Sequence, residues 1–135
     1  MDKLMQRCRA EIDARVSLIG DFDDIKVLRH EAMAQWVAIL RNFNGAPDSW
    51  RLQRFDADGF VGHQVYASKD EAIRNAARER FTLHDDGALD RLERTVAFRL
   101  GNAISDEREK LNGSRISFTA FLARVTQRKA EFCVY

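Results

Sequence analysis

The feature that most limits how this chain can fold is a change of period at Trp50. Trp50-Arg-Leu-Gln-Arg-Phe55 alternates large apolar with polar residues, and Phe60-Val-Gly-His-Gln-Val-Tyr-Ala67 is aromatic and β-branched. Such runs read as two strands. The residues between them, Asp56-Ala-Asp-Gly59, suit a tight reversal, because Asp and Gly tolerate φ > 0 and Asp56 can bond its own backbone. A lone two-stranded hairpin is marginal in water. It therefore needs helix cover, a further strand or a second subunit, and that requirement shapes the reading of the remaining residues.

Most of those residues show helical spacing. Leu4, Cys8, Ile12, Val16 and Ile19 form one stripe, with Asp2 as cap and Gly20 as stop. Ile25, Leu28, Ala32, Trp36, Ile39, Leu40 and Phe43 suggest a second helix capped by Asp23, so that the first 43 residues would make an αα-hairpin. Ser68-Lys-Asp-Glu71 is a capping box for a third helix running to about Phe81, followed by a polar break from Thr82 to Gly87. Leu89, Leu92, Val96, Leu100, Ala103, Ile104 and Leu111 give a fourth. Gly101 inside it points to a close crossing with another element, since glycine costs about 1 kcal/mol there against alanine. Ser114-Arg-Ile-Ser-Phe118 could run on as a strand, but Phe118, Phe121, Leu122 and Val125 at helical spacing favour a fifth helix capped by Ser117, with Ile116 and Phe121 as its hydrophobic staple. The apolar end Glu131-Phe-Cys-Val-Tyr135 is expected to dock, with residues 132–135 as a candidate third strand.

The expectation is an α+β fold of about five helices packed on a small antiparallel sheet built on the 50–67 hairpin. The 135 residues suit one domain spanning 1–135, with 45% hydrophobic residues to fill a core. No apolar run approaches the length of a membrane span, and the start of the chain lacks a secretory apolar region, which points to a cytoplasmic protein. Two cysteines, Cys8 and Cys133, are too few and too far apart for a disulfide framework and read as free thiols.

Charge and motifs demote several functions. Twenty-two basic against 21 acidic residues argue against a dedicated polyanion binder, although Arg115, Arg124, Arg128 and Lys129 bias the C-terminal segment. Asp56, Asp58 and Gly59 mimic part of a calcium loop. In that register Arg54 takes the first ligand position and Val65 the last, where a carboxylate is required. No Gly-rich phosphate loop or nucleophile elbow occurs, and His30, His63 and His84 are scattered. No catalytic residue, metal ligand or cofactor is assigned. The candidate binding residues are Trp50, Arg51, Arg54, His63 and Tyr66, which mix aromatics and cations as base-stacking sheets do, but also as any amphipathic hairpin does.

Gly62-His-Gln-Val-Tyr66-Ala-Ser-Lys-Asp-Glu-Ala72, with Glu131-Phe-Cys-Val-Tyr135, faintly resembles the ADP-ribosyltransferase core. The resemblance implies that Tyr66 stacks on nicotinamide and that Glu131, on a late strand, is catalytic. It covers under twenty residues by permissive motifs, and the early strand with Arg or His-Gly is missing. The leading expectation is a non-enzymatic protein-interaction or ligand-binding module acting as a homodimer. A nucleic-acid-binding accessory protein using the hairpin face, and an enzyme with an unrecognised site, are the alternatives.

Overall fold

The computed structural model describes residues 2–42, 45–112 and 117–133. The fold is α+β, with ten elements in chain order: α1 (Lys3–Ile19), β1 (Ile25–His30), β2 (Gln35–Arg41), β3 (Trp50–Asp56), β4 (Gly59–Tyr66), α2 (Lys69–Arg78), β5 (Phe81–His84), α3 (Ala88–Glu93), α4 (Val96–Asn112) and α5 (Phe118–Cys133). They fall into two compact units. One comprises Met1–Phe55 with Val61–Ala88, and the other Asp56–Phe60 with Leu89–Tyr135.

The first unit is an antiparallel sheet of order β4-β3-β2-β1-β5 with α1 and α2 on one face. β2 is its centre and is buried on both faces. Val37 and Ile39 join Leu28, Trp50, Leu52 and Phe81 under Ile19 of α1 and the alanine-rich stripe Ala72, Ile73, Ala76 and Ala77 of α2. On the opposite face Trp36, Ala38, Val27 and Phe55 are also buried. There the Trp36 ring stacks on Phe55 at 5.9 Å, and its indole N–H donates to Asp85 Oδ2 at 2.9 Å. The hydrogen bond matters because a buried indole without a partner would lose its hydration uncompensated.

Residues 25–41 are two strands, not the helix that their spacing suggests. β1 and β2 pair in register from Ile25 opposite Leu40 to Arg29 opposite Trp36. A helix would place Val27, Val37 and Ala38 off its apolar stripe, whereas a doubly covered strand buries every residue of Trp36-Val-Ala-Ile39. Glu31-Ala-Met-Ala34, which favours helix locally, forms the reversal instead. His30 Nδ1 accepts from the N–H groups of Ala32 and Met33 at 3.0 and 3.1 Å and holds that turn. Packing has overridden local propensity.

The polar break from Thr82 is likewise a strand. α2 ends at Arg78, Arg80 takes a positive φ of 69°, and Phe81 opens β5 against β1, with a bulge between Arg29 and His30. Asp85 holds Trp36, and Asp86 bonds Lys26 Nζ and the Val27 N–H. The expected end-caps of α1 and α2 do form. Asp2 accepts from the Leu4 N–H, and Ser68 and Glu71 close the capping box through the Glu71 and Ala67 N–H groups. The outer end of α1 departs from expectation: residues 2–11 are exposed, so Leu4 and Cys8 lie outside the core.

The second unit joins the tip of the β3–β4 hairpin to α3, α4 and α5. Thr95 breaks the expected single helix, accepting from the Phe98 N–H through its hydroxyl at 3.2 Å. Ser117 caps α5 by accepting from Ala120, as its sequence suggests, while Ile116 of the expected staple lies outside the described residues. Residues 132–133 belong to α5 rather than to a strand, and 134–135 lie outside the described residues. At the tip, Asp56 Oδ1 accepts from the Asp58 N–H at 2.8 Å, which sets the reversal. Asn102 Oδ1 accepts from the Phe60 N–H at 2.7 Å, and the Phe60 and Phe98 rings meet edge to face at 5.4 Å. Gly101 is the close crossing that its position implied, because a methyl group there would overlap the Asp58 carbonyl.

Gly62 makes no such approach; the space beside it is open. The two glycines should therefore respond differently to alanine. Gly101→Ala is expected to cost about 1–3 kcal/mol in urea unfolding, as overpacking does. Gly62→Ala should stay within about 1 kcal/mol of the parent. Equal losses would contradict the crossing.

Candidate functional site

The five sequence-derived residues do not share one surface. Trp50 is buried, edge-on to Phe22 at 6.0 Å. The chain's own cations occupy its surroundings: Lys69 Nζ lies 5.4 Å and the Arg41 guanidinium 5.5 Å from its ring. Lys69 is held by the Phe22 carbonyl and by Asp21 Oδ1 at 2.7 Å. That hydrogen bond, with the Phe22 N–H and the lysine charge, keeps the Asp21 carboxyl below its ordinary range. Trp50 is thus part of a closed aromatic–cation cluster rather than a stacking platform.

Arg54 and Tyr66 do come together. Arg54 donates to Gln64 Oε1 at 3.2 Å and pairs with Glu79, and the Tyr66 hydroxyl donates to the same Gln64 oxygen at 2.7 Å. The Tyr66 ring packs against the core beneath α1 and α2. Arg51 is half-buried, and its Nε has no hydrogen-bond partner among the described residues. His63 is exposed. Since side chains alternate along a strand, Gln64 and Tyr66 on the helix-covered face put Val61, His63 and Val65 on the other.

That second set forms the most open surface of the sheet. Every residue from Phe60 to Val65 is exposed, with Val61 at 67% and Val65 at 49%. β4 is also a sheet edge. The two edges differ in kind. β5 has four residues and a bulge, which blunt it, whereas β4 has eight residues and no proline. Residues 59–68 carry no Asp, Glu, Lys or Arg, the longest such run in a chain that is 32% charged. The uncharged run is visible in the sequence alongside the aromatic and basic residues of the hairpin.

Two clefts offer less. One of about 460 Å³ is lined by Val16, Gly20, Asp21, Asp70, Ile73 and Arg74. Arg74 there already pairs with Asp13 at 2.8 Å, and Asp21 with Lys69. The other, of about 220 Å³, lies between α4 and α5 around Glu107. Glu107 is buried and meets Arg124 at 3.2 Å and Arg128 and Lys110 at 3.6 Å each. The one carboxylate is shared by three cations and ties the two helices together. Glu131, implied as catalytic by the faint enzyme resemblance, sits on helix α5 rather than a strand and accepts from Gln127 and Arg128. Among the described residues no three His, Cys, Asp or Glu side chains converge as metal ligands, and no helix is long and apolar enough to cross a membrane.

Comparison of the chain with protein-family models, with curated proteins and with solved structures found no match.

Glu107 gives a pH test of the helical pair. Burial works to raise its pKa, but the Arg124 hydrogen bond and the charges of Lys110, Arg124 and Arg128 outweigh it, so the net shift is downward. A depressed folded-state pKa adds stability above the unfolded value, about 4.5, and loses it as pH falls through the lower folded value. Glu107→Gln should therefore destabilise at pH 7, with the gap to the parent narrowing as the pH is lowered below about 4.5 in denaturant titrations. A gap that does not change with pH would remove Glu107 from this role.

Proposed function

We propose that the chain is a non-enzymatic protein-interaction module whose working surface is the outer edge of β4, where an extended segment of a partner adds as a further strand. The observation that carries the reading is an eight-residue, uncharged edge strand exposed from Phe60 to Val65. An edge strand offers unpaired main-chain groups, and natural sheets normally blunt a long one with lysine, proline, bulges or cover. The strand itself has no lysine or proline, while the opposite edge is short and bulged. Strand addition draws affinity from main-chain hydrogen bonds and specificity from alternate side chains. Val61, His63 and Val65 would supply that specificity.

A peptide with the sequence of residues 59–66 is a suitable probe, added to chain dilute enough to be monomeric. It should shift backbone NMR resonances of β4 and its neighbour β3, and Gly62→Pro in the protein should abolish the effect by removing a main-chain donor. Shifts elsewhere, or none, would contradict the reading. Low-salt retention on single-stranded DNA or RNA, lost in Arg51→Ala/Arg54→Ala, would favour the nucleic-acid alternative instead.

A further inference from the structure

We infer that the strand added at this edge is β4 of a second copy of the chain, joined antiparallel about a two-fold axis through His63. The inference rests on the reading of β4 as a strand-adding edge and names its occupant. Its basis is the self-complementarity of the strand. The exposed face reads Val61-x-His63-x-Val65, the same in both directions. Residues directly opposite each other in an antiparallel pair share a face. A two-fold at His63 sets His63 against His63 of the partner subunit, and Val61 against Val65 of the partner subunit. On the other face the same register puts Gly62 opposite a glutamine, so a residue without a side chain meets a long one.

The strand's ends and charges fit this register. The Phe60 N–H is already taken by Asn102, so pairing spans Val61 to Val65, where the Gly62 carbonyl accepts from Gln53 Nε2 at 2.9 Å and keeps its second lone pair. Like charges set opposite each other would oppose any self-pairing, and none arise here, because residues 59–68 contain no Asp, Glu, Lys or Arg. A one-residue slip moves every side chain to the wrong face. It would bring the exposed valines of one copy onto the helix-covered face of the other. Under this register the strand is complementary to a second copy of itself, with valine against valine, glycine against glutamine and no charge opposed. The joined sheet has ten strands, and β4 becomes interior.

Cysteine cross-linking reads out the register directly. In a Cys8→Ser/Cys133→Ser background, His63→Cys should oxidise to a disulfide-linked dimer, because directly opposed Cβ atoms lie about 4.5–5.5 Å apart and closer in non-hydrogen-bonded pairs. Gln64→Cys, which faces glycine, should not. Sedimentation should give twice the 15.6 kDa chain mass at high concentration, and Val61→Lys should weaken the dimer at least tenfold. A chain that stays at one-chain mass while still binding the 59–66 peptide would overturn the second-copy assignment and leave the edge intact. Loss of both dimer and peptide binding would overturn the edge as well. A dimer that survives Val61→Lys, or that cross-links equally through residues 63 and 64, would place the contact elsewhere.

Discussion

β2 must be dry on both faces, and the sheet unit is organised around that requirement. Val37 and Ile39 need the helix layer, so the Ala72, Ile73, Ala76 and Ala77 stripe of α2 and Ile19 of α1 come down on one side. Trp36 and Ala38 face the other way, so Trp36 needs a stacked partner in Phe55 and an acceptor in Asp85. A strand in this position also needs hydrogen-bonded neighbours on both sides, and β1 and β3 provide them. β2 has four buried residues against two in β1, three in β3 and one in β4. Burial of apolar area, about 25 cal/mol per Å², sets the gradient.

That same requirement explains what the sequence showed and what it hid. Helix ends were legible where a side chain caps the backbone, as at Asp2, Ser68 and Ser117, because capping is local chemistry. The hairpin turn at Asp56–Gly59 was legible for the same reason, and Gly101 signalled a contact made within its own unit. β1 and β2 were not. A strand covered on both faces loses its alternation, and its continuous apolar run then fits helical spacing equally well. β5, with four residues, is too short to show a period and forms because β1 offers it an edge.

The candidate site was legible in part. Trp50, Arg51, Arg54 and Tyr66 lie on the hairpin that carries the proposed edge, but the fold uses Trp50, Arg54 and Tyr66 internally. Trp50 sits in the core beside Lys69 and Arg41, and Tyr66 and Arg54 converge on Gln64. Only His63 lies on the open surface, between two valines that the aromatic and basic pattern had overshadowed. Which face a residue takes depends on the helices covering the sheet, and no local signal carries that. The contrast between a short, bulged β5 and a long, uncharged β4 emerges only when both are seen as edges of one sheet.

The sheet is built outward from a doubly buried β2 to an open β4 edge. Amide hydrogen exchange on dilute chain measures this order, since protection follows the free energy of the opening that exposes each group. The slowest exchange is expected at Val37, Ala38 and Ile39, matching global unfolding, and the fastest within the sheet between Val61 and Val65. Exchange in β4 as slow as in β2 under those conditions, or fast exchange at Val37 and Ile39, would contradict it.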